Sequence, residues 1–208
     1  LDVLARGCRR PKSPLLAASE LFSMGEYVLY KGRGHASVVS CELSETFYPL
    51  RTDIVLLSHA SLVLSAAEAG AQIEEPAHHL YLLLARTLFR LCYGDMPTDA
   101  ITAAYLLHFM AIMGYKPILD RCVHCERHLQ NDAPCYLDPA AGGIACAACR
   151  GMLVRSMRLT PMSAAWMREV LLKGIEKATS NHADAPLVLL ISYTEYHIDR
   201  KLPRLIEL

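Results

Sequence analysis

Residues 121–150 read "RCVHCERHLQNDAPCYLDPAAGGIACAACR" and hold five of the chain's eight cysteines. Four of the five form two Cys-x-x-Cys pairs, Cys122/Cys125 and Cys146/Cys149, with twenty residues between the pairs. A pair so spaced aims two sulfurs at one point from a single turn, with backbone N–H groups facing the thiolates. Two such turns supply the four thiolates of a tetrahedral zinc site, with each sulfur about 2.3 Å from the metal. Asp138-Pro139 and Gly142-Gly143 permit a short hairpin that returns the second pair to the first. The stretch therefore reads as a four-cysteine zinc finger over about residues 119–152, with Zn2+ as a structural cofactor.

Other uses of the cysteines fit less well. A thioredoxin-like redox site needs one Cys-x-x-Cys on a strand-to-helix turn; here there are two, in a loop between helical segments. A catalytic zinc keeps a position open for water, and four thiolates leave none. The His-x-Glu of the zinc deaminases does not occur. With no secretion signal in the sequence, thiols paired this way favour a reduced metal site over a disulfide framework. Cys135, His124 and His128 lie close enough in sequence to substitute as ligands. Cys135 is expected to be a partly buried thiol and the two histidines to be solvated. Cys8, Cys41 and Cys92 have no partner pattern.

Outward from the finger, the pattern is helical on both sides. Asp53 can cap a helix that runs to Gly70. Pro76 opens a second, with Leu80, Leu83, Leu84, Leu88 and Leu91 at helical spacing, closed near Gly94. Thr98 opens a third, apolar on almost every face, which Gly114 and Pro117 end; such a helix must be central to its domain. Its uncharged run, Ala100 to Tyr115, is shorter than the roughly 20 residues of a membrane span. After the finger, Thr160-Pro161 starts a helix that Gly174 closes, and Pro186 starts a last one that ends before Pro203. "ATSNHADA" (178–185) reads as a loop.

The first fifty residues differ. "EYVLYKGRGHASVVSCELSETF" (26–47) predicts a hairpin, Glu26 to Lys31 and Ala36 to Glu42, about a turn at Gly32 and Gly34. The expected class is α+β, mostly α: a β-rich domain over 1–49 and a helical domain over 50–208 that carries the finger. With 53% hydrophobic and 20% charged residues, the chain is no disordered segment. Its formal net charge is zero, but the charge is uneven. Residues 5–12 carry Arg6, Arg9, Arg10 and Lys12 without an acid, whereas 34–100 carry eight acids against three arginines. A second run, Arg150, Arg155 and Arg158, lies beside the finger without an acid.

Long cations beside aromatic residues suit nucleic acid: the cations meet phosphates and a ring face stacks on a base. Candidate DNA-binding residues are Arg6, Arg9, Arg10, Lys12, Lys31 and Arg33. Tyr27 and Tyr30 fall on opposite faces of their strand, so one at most is a stacking platform. No phosphate-binding loop or nucleophile elbow occurs, which argues against an enzyme.

Five stretches, in this order, resemble the recombination mediator family RecO: "ARGCRRPKS" (5–13), "GEYVLYKGRG" (25–34), "MGYKPILDRCVHC" (113–125), "AAGGIAC" (140–146) and "YTEYHIDRKL" (193–202). The resemblance implies a non-enzymatic protein with an oligonucleotide/oligosaccharide-binding (OB-like) barrel followed by a helical domain with a zinc finger. It implies binding to single- and double-stranded DNA and annealing of complementary strands. The implied partners are RecR and single-stranded-DNA-binding protein, and through them the loading of RecA recombinase, in the bacterial cytoplasm at the nucleoid. Against the family pattern the sequence starts part-way into the barrel, so a partial barrel lacking its first strands is expected. Two positions depart further. Tyr105-Leu106-Leu107 stands where a Phe-Glu-Leu is common, and Lys201-Leu202-Pro203-Arg204 replaces a Lys-Ser-Arg type end. The alternative reading is a zinc-containing protein–protein adaptor or regulator whose basic loop meets an acidic partner.

Overall fold

The computed structural model describes residues 2–32, 34–72, 75–129, 133–153, 155–175 and 184–206. The chain is mixed α+β, mostly helical, with two small three-stranded sheets, and it divides into two compact units, Leu1–Leu57 and Ser58–Leu208.

The first unit contains β1 (Val3–Leu4), β2 (Met24–Tyr30), β3 (Ala36–Glu45) and the one-turn helix α1 (Pro49–Thr52). β2 and β3 form the predicted hairpin, each longer than the sequence pattern marked. Arg33, at its turn, lies outside the described residues. β1 adds to the other side of β3 in parallel, pairing Val3 with Ala36, so the strand order is β1-β3-β2. No closed barrel is formed among the described residues. Leu15, Ala18, Phe22, Ala36, Phe47 and Leu50 make the buried core of this unit. Sequence reading placed the transition between domains at 49/50. Just past that point Leu50 is fully buried, and Arg51 Nη1 donates to Leu21 O (2.7 Å) and Thr46 O (2.9 Å).

The second unit is built around α4 (Thr98–Ile112), in which every residue from Ala100 to Leu107 is buried. That is why its sequence shows no polar face. α3 (His78–Tyr93), α5 (Pro161–Lys173) and α6 (Leu187–Ile198) pack against it. α2 (Ile54–Gly70) joins through the buried His59, whose Nδ1 lies 2.8 Å from Thr102 Oγ1 and whose Nε2 lies 3.3 Å from the Asp99 carboxylate. His108 Nε2 meets Val170 O at 3.1 Å, and the Tyr193 hydroxyl donates to Tyr115 O at 3.1 Å.

The helix signals act as their chemistry predicts. The Asp53 carboxylate accepts from the N–H groups of Val55 (2.8 Å) and Leu56 (3.0 Å) at the start of α2. Thr160 Oγ1 accepts from Ser163 N, with Pro161 at the first helical position of α5. Gly114 ends α4 with φ at +85°, a left-handed conformation that turns the chain toward the finger. α3 and α6 begin one or two residues after the prolines, at His78 and Leu187, because each proline precedes the first helical residue. Among the described residues no helix is long and apolar enough to cross a membrane.

Burial holds the imidazoles of His59, His108 and His197 below their ordinary pKa. Unfolding returns each to the ordinary value, so the unfolded chain takes up protons first as pH falls. Their stabilising effect is complete above the unfolded pKa and is lost as pH falls through the folded values. Urea unfolding followed through the single, buried Trp166 should show a lower midpoint at about pH 5.5 than at about pH 7.5. Equal midpoints would contradict neutral burial of these three rings.

Candidate metal centre and basic surfaces

Between α4 and α5 the chain forms β4 (Cys135–Asp138), β5 (Gly143–Cys146), a 3-10 turn (Ala147–Met152) and β6 (Met157–Leu159), with β4 central in the order β5-β4-β6. The expected return hairpin is β4–β5, and it sets Cys146 opposite Cys135. The first Cys-x-x-Cys turn docks on this hairpin. Ile144 N donates to Ile118 O (2.9 Å), Val123 N donates to Ile144 O (2.9 Å), and Glu126 N closes the turn on Cys122 O (2.9 Å). Gly143 makes the approach possible: a Cβ there would lie 2.5 Å from Ile118 O and 2.8 Å from Val123 Cγ1. Arg168 Nη1, from α5, ties the segment down through Leu119 O at 2.8 Å.

The result brings Cys122, Cys125, Cys146 and Cys149 together, with all four sulfurs within 4.8 Å of one another. Cys125 and Cys146 are 3.8 Å apart, which is the edge of a thiolate tetrahedron with metal–sulfur distances of about 2.3 Å. Three of the sulfurs belong to buried residues; Cys125 is the exposed one. Cys146 N donates to Cys122 Sγ at 3.4 Å, the N–H-to-sulfur contact expected of a knuckle. Burial pushes the Cys122 thiol up, but N–H groups at Cys125, Cys146 and His124 outweigh it and bring the group down to about 6. Cys149 is pushed up to about 12 by its contact with the Cys146 sulfur and then by burial. Four thiols this close cannot all ionise without a cation among them, and a divalent metal is what permits it. The cluster fits a metal ion in donor type, number and spacing.

The neighbouring candidates stay outside the cluster. Cys135 is buried, with Sγ 3.8 Å from Leu159 O, and burial pushes its thiol up despite Arg168. His124 was expected in solvent. Its side chain is only 20% exposed, with Nε2 3.8 Å from the buried Asp138 carboxylate, because the knuckle turn folds it onto the hairpin. His128 is exposed and lies near Asp120 O.

Arg6, Arg9, Arg10, Lys12 and Lys31 are all exposed, in the first unit. The basic loop is a series of bonded turns, Cys8 N to Ala5 O, Arg10 N to Gly7 O and Ser13 N to Arg10 O. Of the two tyrosines, Tyr27 donates its hydroxyl to Ala18 O (2.9 Å), while Tyr30 is the more exposed, at 68%.

In the second unit a largely apolar groove of about 350 Å³ lies between the chain at Lys116–Asp120 and α5. Lys116 and Arg168 supply its cations, and Ile118, Leu171 and Leu172 its apolar wall. Arg168 reaches the groove only through the packing of α5.

These features define a class: a mostly helical protein with a four-cysteine knuckle able to hold a metal ion, and a small β unit that carries exposed cations. The profile of the C-terminal part of recombination protein O matches residues 51–206. The chain is 30% identical over 205 residues to the DNA repair protein RecO of Alkaliphilus metalliredigens, covering 96% of this chain and 82% of the relative. It is 27% identical over 207 residues to that of Pelotomaculum thermopropionicum (97% and 79%). With that of Moorella thermoacetica it shares 29% over 151 residues (73% and 56%). The chain belongs to the RecO family of recombination and DNA repair proteins, which are mediators and not enzymes.

Proposed function

We propose that this chain binds single- and double-stranded DNA, anneals complementary strands, and with RecR helps to load RecA recombinase at the bacterial nucleoid. The observation that carries the reading is the similarity to RecO proteins over 96% of the chain, which takes in both units. The first unit is then part of an OB-like DNA-binding domain, with β1, β2 and β3 as barrel strands and its β-rich part ending near residue 49. Arg6, Arg9, Arg10, Lys12, Lys31 and Arg33 contact phosphates there, with Tyr30 beside them. Cys122, Cys125, Cys146 and Cys149 hold one structural Zn2+. A filled four-thiolate site has no place for water, so the zinc fixes the finger and performs no chemistry.

The groove at Lys116, Arg168 and Leu172 suits the tail of single-stranded-DNA-binding protein. An acidic peptide with an apolar end needs an apolar wall and a cation in one place, and the groove provides both. Binding should be weak and strongly salt-sensitive. Leu172 is 86% exposed, so Leu172→Glu leaves the fold alone and sets a charge against the peptide. The substitution should weaken tail-peptide binding about tenfold, or about 1.4 kcal/mol, by titration at low salt. An unchanged affinity would move the tail site elsewhere.

A further inference from the structure

We propose that the sheet of the metal finger carries a second single-stranded nucleic-acid contact, formed by Arg150, Tyr136 and Arg158. The proposal rests on the DNA-binding reading above and adds a site on the other unit. Arg150 and Arg158 belong to the basic run beside the finger, and the fold brings both to Tyr136. Tyr136 sits on the central strand β4, and Arg158 is its cross-strand partner on β6. Paired residues on neighbouring strands project to one face of a sheet. Arg150 comes from the 3-10 turn after β5, and its Cζ lies 5.1 Å from the Tyr136 ring centroid. One partly exposed ring thus has a guanidinium over it and a second arginine opposite it on the neighbouring strand.

The cation–π contact with Tyr136 holds the Arg150 guanidinium at the sheet, where its N–H groups can bind a phosphate. Both arginines are exposed, and neither makes an ion pair among the described residues. No acid occurs between residues 150 and 158 to neutralise them. Two guanidiniums without an ion pair among the described residues, next to an aromatic ring, match a strand whose phosphates are charged and whose bases are unstacked. A duplex offers the same phosphates but hides its base faces. Arg155, from the same run, instead lines a cleft with Arg200 and Lys201, where Glu195 and Asp199 also sit. Lys201 is paired with Glu195 and Arg200 with Glu68, so that cleft is largely neutralised and is not part of the proposed contact.

Fluorescence anisotropy of labelled single strands across a salt series, with the whole chain, tests this. Four proteins are compared: the parent, Arg150→Glu/Arg158→Glu, the loop variant with Arg6, Arg9, Arg10 and Lys12 replaced by alanine, and the two sets combined. The finger variant should lower low-salt affinity at least fivefold and flatten the salt slope by about 1.4, two contacts at about 0.7 each. The loop variant should keep residual salt-sensitive binding that the combined variant loses. Arg150→Lys/Arg158→Lys should hold most of the affinity, and an unchanged metal content of the Glu variant shows that the finger is folded. Tyr136→Leu should weaken single strands more than a duplex of the same length. An affinity and slope indifferent to the Glu pair overturn the finger contact while leaving the loop reading intact. An equal loss on duplex and single strand overturns the single-strand assignment. A parent protein that binds neither overturns the DNA-binding reading itself.

Discussion

Cys122→Ser should release the metal and cost on the order of 4–5 kcal/mol of stability or more, the range reached when a structural metal is lost. Cys122 lies at the centre of the knuckle: it is fully buried, its sulfur accepts from Cys146 N, and its carbonyl closes the first turn on Glu126. Apparent zinc affinities of about 10–16 kcal/mol in small fingers are folding energies, since the site does not exist in the unfolded chain. Little else fastens residues 118–129. Apart from two backbone bonds between Ile118 and the hairpin, one at Val123, the Arg168 contact with Leu119 O and the contacts that the cluster sulfurs themselves make with Cys146, their described hydrogen bonds are internal to the segment. Elemental analysis should find one zinc per chain in the parent and none in the variant. Hydrogen exchange should rise sharply over residues 118–129 and 143–152 and much less in α4. A metal-free parent with the same exchange pattern would contradict a structural zinc.

Replacing Arg9, Arg10, Lys12, Lys31 and Arg33 by alanine should remove most of the salt-dependent DNA binding. Five phosphate contacts on a single strand correspond to a slope of about −3.5, hence roughly a hundredfold loss of affinity between about 50 and 200 mM salt. Each cation removed should flatten the slope by about 0.7, with little dependence on base sequence. Arg9, Arg10 and Lys12 lie on exposed turns, so the fold should survive their loss. A folded variant that binds as tightly as the parent at low salt would remove the basic loop from the DNA-binding surface.

What the sequence made legible was local. The Cys-x-x-Cys turns are ligand sets that a few residues define, and the fold confirms that they meet. Asp53, Thr160 and Gly114 act within one turn of their own positions. α4 could be placed at the centre because a helix with no polar face has nowhere else to go. What stayed hidden was set by distant pairing. β1 is two residues long and is defined only by its partner, Ala36–Ser37 on β3. β6 has three residues, too few to show alternation, yet it completes the finger sheet and brings Arg158 beside Tyr136. Arg168 looks like an ordinary helix-surface cation until α5 is packed, when it meets Leu119 O and lines the groove.

The proposed function is that of a mediator that works on DNA strands without chemistry of its own. Its most direct test is annealing of two complementary labelled oligonucleotides, followed by energy transfer, with no nucleotide cofactor present. Annealing should be accelerated by amounts of protein comparable to the strands, and the acceleration should fade as salt rises. A rate equal to that of the strands alone, from protein that is folded and holds its zinc, would contradict the account.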